Sequence, residues 1–393
     1  MAVRLLTYEV SDLCLGKPPL RSLPASASIS DAVSAIKYSD DGSVSVWNCD
    51  HSSPENKNDA VDACRCLARI CMVDVICYLC REENLLSPSS ALKSPVSVLV
   101  SKGPGRVRHV DPSSSLLDAI DLILQGAQNL VVPIKTSPRR KLQKSSSPNP
   151  TAHHGREFCW LTQEDVIRFL LSSIGVFTPL PALSIDTLGA IATDFSSIGY
   201  HSPTASAVGA ISASLANQTS VAVVDGDGIL IGEISPFTLA CCDETVAAAI
   251  ATLSAGDLMA YIDCGGPPED LVRVVKARLE DRKLEAMLEE FTNSSDATSG
   301  LSSFSLSSSS DEESPTSMAS GRYSRSSSYS ARMMRRAEAI VCHPWSSLAA
   351  VMIQAISHRV NYVWVVEEDC SLVGIVTFSN MLRILYQHLQ SMD

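Results

Sequence analysis

The chain has few of the features that mark nucleic-acid-binding and membrane proteins. Only 5% of its 393 residues are aromatic, so a buried core must be built mainly from Ala, Val, Ile and Leu. Its 31 Lys and Arg are outnumbered by 43 Asp and Glu, giving a net charge of −12. Because phosphate contacts need clustered Lys and Arg, neither DNA nor RNA is predicted as a main partner. No apolar run reaches the roughly 18 residues of a membrane-spanning helix, so no membrane association is predicted.

Signatures of catalysis are missing as well. We find no Walker loop, no HExxH motif and no set of paired catalytic carboxylates. His201, His343 and His358 are scattered, without the Ser/His/Asp or Cys/His arrangement of a nucleophilic site. The glycines of Asp225-Gly226-Asp227-Gly228 lie between two predicted strands and therefore predict a tight hairpin, not a phosphate loop. The sequence favours a protein that is not an enzyme.

The cysteines indicate a reducing compartment. The first 14 residues contain one Arg and no long apolar stretch, so no secretory signal is predicted. An odd number of cysteines, 13, then indicates free thiols in the cytoplasm or the nucleus. The densest group comprises Cys64, Cys66, Cys71, Cys77 and Cys80. A zinc site and a set of buried apolar thiols are both open interpretations, and the spacing Cys64-x-Cys66, wrong for a zinc ribbon, favours the thiols.

Three insertions depart from the composition of the rest. Residues 292–330 contain 18 serines, residues 135–154 are basic and rich in Ser and Pro, and residues 48–62 are polar. Such segments cannot bury enough apolar surface to offset their ordering entropy, so we predict disorder in the Ser-rich tract and a flexible loop at 135–154. His153-His154 belongs to the basic insertion and is predicted to be solvated rather than metal-bound. Before the Ser-rich tract, the apolar spacing predicts one amphipathic packing helix over Leu271–Phe291.

Four serines in these insertions are candidate phosphorylation sites. Ser137, Ser147 and Ser314 each precede a proline, and Ser328 follows Arg325 by three residues. Proline-directed and basic-directed kinases favour these patterns. Phosphates on the Ser-rich tract would add negative charge beside nearby arginines and could dock or release it.

With the insertions set aside, one structural unit recurs four times. Each copy has a proline, a helix start that contains Ser, an apolar helix, a β-branched strand, a turn, a second strand and another helix. In copies two to four the Ser follows the proline by three residues, where it can cap the helix, at Ser115, Ser206 and Ser347. The first copy is looser, with Pro24 and Ser28. The first strands are predicted at Val44–Trp47, Asn129–Ile134, Thr219–Val224 and Tyr362–Val366, and their partners at Leu67–Cys71, Phe158–Leu161, Ile229–Ile234 and Leu372–Val376.

The end of each unit resembles the Gly-x-x-Thr-x-x-Asp motif of the cystathionine-β-synthase (CBS) domain. The clearest match is Gly374-Ile-Val-Thr377-Phe-Ser-Asn380, followed by Cys159-Trp-Leu-Thr162-Gln-Glu-Asp165. The other two, Gly232-Glu-Ile-Ser235-Pro-Phe-Thr238 and Ala68-Arg-Ile-Cys71-Met-Val-Asp74, are more degenerate. Together with Asp12-Leu-Cys-Leu-Gly-Lys-Pro-Pro-Leu and the Ser-rich insertions, they are similar to plant CBS-domain-containing proteins with four such domains.

The resemblance implies an α/β (α+β) fold of four β-α-β-β-α repeats paired into two Bateman modules. The repeats are predicted at residues 5–90, 92–180, 181–262 and 335–390, with the amphipathic helix and the Ser-rich linker at 263–334. In this family, the clefts between paired domains often hold adenosine nucleotides or S-adenosylmethionine. AMP, ADP, ATP and S-adenosylmethionine are therefore the regulatory ligands that the resemblance implies.

The family's Thr or Ser and its Asp hold the phosphate and ribose of the ligand. Carried over, these roles fall on Thr162 with Asp165, Thr377 with Asn380, Ser235 with Thr238, and Asp74. Only Thr162 and Asp165 form a complete pair, because each other motif lacks the carboxylate or the hydroxyl. The alternative is that these residues merely cap the last helix of each repeat, since Asp and Asn are good caps without any ligand.

Two functions follow from the resemblance. The first is a non-enzymatic sensor that binds an adenine nucleotide and signals to a partner protein, such as a kinase or a redox enzyme. The second is a nucleotide-independent scaffold, similar to the gamma subunit of AMP-activated kinases, which the degenerate motifs favour. Either function is compatible with a homodimer.

Overall fold

The computed structural model describes residues 7–49, 64–100, 106–134, 152–153, 156–263, 267–299 and 338–391. Candidate phosphorylation sites Ser137, Ser147, Ser314 and Ser328 lie outside these ranges. So do most residues of the three predicted insertions. Within the described ranges, no helix combines the length and the apolar character needed to cross a bilayer.

The described chain folds into four units that share one order of elements, β-α-β-β-α, which confirms the predicted fold class. The first unit contains β1 (Ser22–Pro24), α2 (Ile29–Lys37), β2 (Ser43–Trp47), β3 (Cys66–Cys71) and α3 (Met72–Leu79). It is preceded by α1 (Val10–Leu13) and followed by α4 (Glu82–Leu85) and α5 (Pro88–Lys93). The second contains β4 (Val107–His109), α6 (Leu116–Leu124), β5 (Asn129–Ile134), β6 (Ala152–His153), β7 (Arg156–Thr162) and α7 (Gln163–Ser172).

The third and fourth units follow the same order. The third contains β8 (Ser196–Gly199), α8 (Val208–Asn217), β9 (Val221–Val224), β10 (Leu230–Ile234) and α9 (Pro236–Leu239). Four helices then follow: α10 (Val246–Thr252), α11 (Ala255–Asp263), α12 (Glu269–Asp281) and α13 (Glu285–Ser299). The fourth contains β11 (Val341–Cys342), α14 (Leu348–His358), β12 (Tyr362–Val366), β13 (Leu372–Thr377) and α15 (Phe378–Gln390).

Each unit forms its own sheet, in which the first strand runs parallel to the second and the next long strand antiparallel to it. The second sheet adds β6 at its edge. The register is the same at the end of each repeat. Cys71 lies opposite Ser43, Thr162 opposite Asn129, and Thr377 opposite Tyr362. Each end motif therefore starts its final helix at the equivalent edge of its sheet.

Three of the four predicted helix caps are confirmed. The hydroxyl oxygens of Ser28, Ser115 and Ser347 accept hydrogen bonds from main-chain amides in the first turns of α2, α6 and α14. The prediction for Ser206 is wrong. A 3₁₀ turn over Thr204–Ala207 delays the start of α8, and the Ser206 hydroxyl instead donates to the carbonyl of Pro203 at 2.8 Å.

The single helix predicted over Leu271–Phe291 is also wrong, because two helices, α12 and α13, occupy this stretch. The chain turns between them at Lys283, which adopts a left-handed conformation with φ of 56°. The spacing of the apolar residues indicates this break. Leu279 and Leu284 are five residues apart, whereas neighbouring positions on one helix face are three or four apart. Both side chains are nevertheless buried in the same core.

Two cores assemble the four repeats. Apolar residues of the first and third repeats share one cluster, and those of the second and fourth share another. The sheets form different pairs: the sheet of the first repeat contacts that of the second, and the sheet of the third contacts that of the fourth. Trp47 and Cys66 of the first repeat pack against Val131 and Trp160 of the second, and Ile229 of the third repeat forms a β-bridge with Ser371 of the fourth. Each repeat therefore contacts one neighbour through helices and another through its sheet.

The prediction that His153 lies in a solvated loop is wrong. His153 is in β6 with a relative exposure of 4%, and its ring stacks on Trp47 with centroids 3.6 Å apart. The Ser, Pro and basic residues around His153 are typical of a solvated loop, so the sequence did not predict its contact with Trp47. This contact joins the second repeat to the first. Burial raises the pKa of Cys66 and Cys80 well above the ordinary thiol value and that of Cys77 to about 12, so those thiols are protonated at neutral pH.

Gly374, in the fourth end motif, permits a close backbone contact. A Cβ at this position would lie 2.6 Å from the carbonyl oxygen of Ala192, whose backbone bridges to Ile375. We expect Gly374→Ala to lower the free energy of unfolding by about 1–3 kcal/mol, because a backbone atom cannot yield to the methyl group. Urea unfolding would measure the loss. Gly226→Ala is the matched control, since a Cβ at Gly226 would meet no atom within 4 Å; equal losses in the two variants would contradict the argument.

Candidate functional site

A cavity of about 900 Å³ lies where the four repeats meet. Its wall includes Asp74 of the first repeat, Arg168 of the second, Ser235 of the third, and Arg359 and Tyr362 of the fourth. We call it the central cavity. Its volume falls in the range of roughly 300–1,000 Å³ typical of small-molecule and cofactor sites. A molecule bound there would contact all four repeats.

Four arginines line the central cavity: Arg69, Arg106, Arg168 and Arg359. Arg69 forms an ion pair with Asp41 at 3.6 Å, and Arg168 with Glu164 at 2.7 Å. Arg106 and Arg359 form no ion pair with an acidic residue in the described part of the chain. The cavity therefore offers guanidinium groups to an anion, and such groups bind phosphate and carboxylate in a bidentate manner.

Side-chain amides in the cavity wall connect neighbouring repeats. The Arg69 guanidinium donates to the Asn129 side-chain oxygen at 3.1 Å, which links the first two repeats. The Gln218 amide donates to the main-chain carbonyl of Gln128 at 3.2 Å. The Asn361 amide donates in turn to the Gln218 side-chain oxygen, also at 3.2 Å. A ligand that displaces any of these bonds would remove a contact between two repeats.

Buried Glu233 fixes Tyr362 in the wall of this cavity. The Tyr362 hydroxyl donates to the Glu233 carboxylate at 2.9 Å, and the Trp364 indole N–H donates to it at 2.7 Å. Glu233 belongs to β10 of the third repeat and both aromatic residues to β12 of the fourth. Burial and the adjacent Glu233 raise the pKa of Tyr362 well above its ordinary value, so this hydroxyl stays protonated and keeps its donor role.

Asp74 also lines the central cavity, at the start of α3. One of its carboxylate oxygens accepts from the main-chain amide of Cys71 at 2.8 Å. Burial raises the pKa of Asp74 to about 6, against opposing contributions from the Cys71 bonds and from Arg106 and Arg69. Near neutral pH, Asp74 is therefore largely ionised, and it takes up a proton in mildly acidic solution.

This raised pKa predicts a pH-dependent stability. Between about pH 4 and pH 6 the folded protein binds more protons at Asp74 than the unfolded chain does. The contribution of Asp74 to the free energy of unfolding therefore falls as the pH rises through this window. We expect the signed difference, the free energy of unfolding of the native protein minus that of Asp74→Asn, to decrease between pH 4 and pH 7 in urea unfolding. A difference that stays constant or grows would contradict the raised pKa.

Thr162 and Asp165, the complete pair of the sequence motif, lie in a second and smaller cleft. Its volume is about 370 Å³, and it is also lined by Lys17, Trp160 and Arg69. The Asp165 carboxylate accepts from the Thr162 amide and hydroxyl, each at 2.8 Å, and forms an ion pair with Lys17. Lys17 also donates to the Trp160 carbonyl at 2.9 Å. The carboxylate predicted to bind a ribose is thus engaged by a capping box and an internal lysine.

Three of the remaining candidates, Thr377, Asn380 and Ser235, take part in helix caps. The Thr377 hydroxyl donates to the Asn380 side-chain oxygen at 2.6 Å and accepts from its amide, and neither residue lines either cavity. The Ser235 hydroxyl accepts from the Phe237 amide at 3.2 Å and lines the central cavity. Thr238 is buried and lines neither cavity. The structure thus brings Asp74 and Ser235 to one cavity and places the other candidates elsewhere.

Over its whole length, the chain is 53% identical to the CBS domain-containing protein CBSX5 of Arabidopsis thaliana, and the match covers 100% of both chains. The chain belongs to the family of CBS domain-containing proteins. A second Arabidopsis relative, CBSX6, is 30% identical over 97% of this chain and 94% of its own. The four units described above are thus CBS repeats, and their paired sheets are those of a CBS protein. No family model matches the chain.

Two further proteins are similar to this chain at lower identity. The Arabidopsis SNF1-related protein kinase regulatory subunit gamma-like PV42b is 19% identical over 99% of this chain and 97% of its own. Among solved structures, a Methanocaldococcus jannaschii protein described as a putative archaeal homologue of g-AMPK matches with a TM-score of 0.53. That match is 13% identical and covers 96% of this chain and 100% of the archaeal one, so it shows a shared fold.

Sequence reasoning missed the arginines of the central cavity and the lysine of the smaller cleft. The first end motif contains Arg69, between Ala68 and Cys71, so the sequence could have indicated this arginine. Arg106 and Arg359 lie outside every motif, in loops before β4 and after α14. Lys17 lies within the N-terminal segment that supported the family resemblance, but its partner Asp165 is far away in sequence.

Proposed function

We propose that this CBS protein is a non-enzymatic regulator that binds an adenine nucleotide in the central cavity and transmits the bound state to a partner protein. The observation that carries the proposal is the convergence of residues from all four repeats, including four arginines, on one cavity. A ligand in that position lies between both pairs of repeats.

The chemistry of the wall supports an anionic nucleotide. Arg106 and Arg359 are suited to phosphate oxygens. The hydroxyl of Ser235 and the side-chain amides of Gln218 and Asn361 line the same cavity and can bond to a sugar or base. The adenine base itself is supported by the family resemblance, because CBS clefts often hold adenosine nucleotides or S-adenosylmethionine.

The mechanism would be a shift in the packing of the repeats. A ligand can bias a conformational equilibrium only through its different affinity for the two states. In this cavity the difference would arise at the amide contacts that join the second, third and fourth repeats through Gln128, Gln218 and Asn361. A partner that contacts two repeats would sense the change, and reciprocally would alter nucleotide affinity. A kinase or a redox enzyme is the class of partner we propose.

Isothermal titration calorimetry of the full chain with AMP, ADP, ATP and S-adenosylmethionine would test the proposal. We expect one strong site for at least one of these ligands. Lys17→Ala serves as a matched variant, because Lys17 lines the smaller cleft and not the central cavity. If Lys17→Ala binds the nucleotide with unchanged affinity, the result supports the central cavity as the binding site. Absence of binding at millimolar concentrations of all four ligands would reject nucleotide sensing.

A nucleotide-independent scaffold is the second candidate function. The observation in its favour is the ion pair between Lys17 and Asp165. Asp165 belongs to the only complete family motif of the sequence, and its carboxylate is already bound by a side chain of the protein itself. In that case, affinity purification from native tissue would recover the same partners, kinase subunits among them, with and without added nucleotide. A partner set that changes with nucleotide would favour the sensor instead.

The phosphorylation sites and the compartment remain predictions. If Ser137, Ser147, Ser314 and Ser328 are regulatory, mass spectrometry of the native protein should find phosphate on at least one of them. We propose that the protein acts in the cytoplasm or the nucleus.

A further inference from the structure

Three potential metal-ligating atoms converge at the contact between the first and second repeats. The Sγ atoms of Cys49 and Cys64 are 2.6 Å apart, and the Nδ1 atom of His153 lies 3.3 Å from the first and 3.4 Å from the second. Among the described residues, they are the one group of three or more His, Cys, Asp and Glu side chains placed to share an ion. None of the three lines the central cavity or the smaller cleft.

The β-ladder of the first repeat brings the two cysteines together. Trp47 and Cys66 are the last paired residues of β2 and β3. The next pair is joined by two hydrogen bonds, because the Asn48 amide donates to the Arg65 carbonyl and the Arg65 amide to the Asn48 side chain. Cys49 and Cys64 therefore face each other one step beyond, outside the rigid part of the sheet. The nearby Cys66 thiol is directed elsewhere, towards the carbonyl of Ala68.

His153 is held in a fixed orientation by the first repeat. Its ring is stacked on Trp47 at an interplanar angle of 15°, and its Nε2 atom lies 2.8 Å from the Ser22 hydroxyl. A bond from one ring nitrogen to a protein oxygen is the usual way in which a metal-ligating histidine is oriented. With Nε2–H donating to Ser22, the lone pair of Nδ1 faces the two sulfurs.

We propose that Cys49, Cys64 and His153 bind a Zn²⁺ ion that joins the first repeat to the second. Zinc prefers this combination of thiolate and imidazole, with Zn–S of about 2.3 Å and Zn–N of about 2.0–2.1 Å. In a tetrahedral site these lengths place sulfur and nitrogen about 3.5 Å apart, close to the observed separations. The sulfurs must move apart to about 3.8 Å, which their positions beyond the strand ends permit. Among the described residues these three are the protein ligands, which leaves the fourth position to an oxygen or nitrogen donor.

Such a site would stabilise one particular pair of repeats. Both cysteines belong to the first repeat and the histidine to the second, so the ion would bridge the two repeats where their sheets meet. A ligand that binds the folded state and not the unfolded chain raises the free energy of unfolding by RT ln(1 + [L]/Kd), which grows with the logarithm of its free concentration. The protein with metal should therefore unfold at a higher temperature than the same protein after treatment with a chelator.

The test uses the full chain, purified under reducing conditions and freed of metal, with Co²⁺ as the spectroscopic probe and Zn²⁺ as the competitor. We expect one tight equivalent of Co²⁺, with thiolate charge-transfer absorption and tetrahedral d–d bands that Zn²⁺ removes. Cys49→Ser and His153→Gln should each weaken binding at least tenfold. Cys370→Ser, which removes an exposed thiol, is the matched control and should bind as the parent does. Equal binding by all four proteins would overturn the proposal.

A second measurement does not depend on the folding of variants. X-ray absorption of the zinc-loaded native chain should show two sulfur and two nitrogen or oxygen neighbours. A shell of three or four sulfurs would place the ion among other cysteines and overturn the assignment. The proposal would also fail if the fully reduced chain takes up no metal while the oxidised chain contains a Cys49–Cys64 disulfide.

Discussion

Replacing Arg106 and Arg359 together by glutamine is expected to weaken binding of AMP at least a hundredfold. Each substitution removes a positive charge from the central cavity and retains a side chain of similar length. A hydrogen bond to a charged group contributes about 1.5–3 kcal/mol, and about 1.4 kcal/mol corresponds to a tenfold change in affinity. Two such losses give a factor of a hundred or more. Isothermal titration calorimetry of the double variant against the native chain would measure it.

Arg383→Gln is the matched control for this experiment. Arg383 is an exposed residue of α15 that lines neither cavity. Arg383→Gln removes one positive charge from the protein, as each of the two cavity substitutions does, so a general effect of net charge on nucleotide affinity would appear in it as well. If Arg383→Gln weakens binding as much as one of the cavity substitutions does, the arginines do not act locally and the proposed site is wrong.

Replacing Glu233 by alanine is expected to lower the free energy of unfolding by about 3–5 kcal/mol. The substitution removes the acceptor of the Trp364 indole N–H, whereas the Tyr362 hydroxyl keeps the Ser235 oxygen at 3.2 Å. Each unsatisfied buried donor costs about 1–3 kcal/mol, and the removed side chain adds a cavity. Because Glu233 joins the third repeat to the fourth, we also expect weaker nucleotide binding at the adjacent cavity wall. Urea unfolding followed by circular dichroism would give the stability.

Two comparisons isolate the role of this carboxylate. Glu233→Gln keeps one oxygen acceptor and a similar volume, so we expect it to lose clearly less stability than Glu233→Ala. Glu368→Ala removes an exposed acid from the turn between β12 and β13 and should change stability by less than about 0.5 kcal/mol. If Glu233→Ala and Glu368→Ala unfold at the same urea concentration, the bonds from Tyr362 and Trp364 contribute nothing net.

The sequence predicted those parts of the fold that depend on local patterns. Helical spacing and β-branched runs are properties of short segments, so the strands at Asn129–Ile134 and Tyr362–Val366 were predicted to the residue. Capping requires only a few neighbouring residues, and Ser28, Ser115 and Ser347 cap as expected. The failure at Ser206 has a local cause too, because an extra 3₁₀ turn can follow the proline without changing the pattern.

The candidate site depended on contacts between distant parts of the chain. Nothing near Asp165 in the sequence indicates that Lys17 reaches it, and nothing near His153 indicates Trp47 or Cys49. The arginines of the central cavity come from four separate segments of the sequence and become a group only when the repeats pack. The motif identified Thr162 and Asp165 by their side-chain chemistry. The packing of the repeats, which the motif does not contain, determines which end motif lines the central cavity.

A crystal structure of the full chain with AMP would test the central claim most directly. The claim is that all four repeats enclose one site for an anionic nucleotide. We expect the phosphate to lie near Arg106 and Arg359 and the nucleoside to contact Ser235 or Tyr362. A nucleotide bound instead beside Thr162 and Asp165, with Lys17 displaced from the carboxylate, would contradict the account.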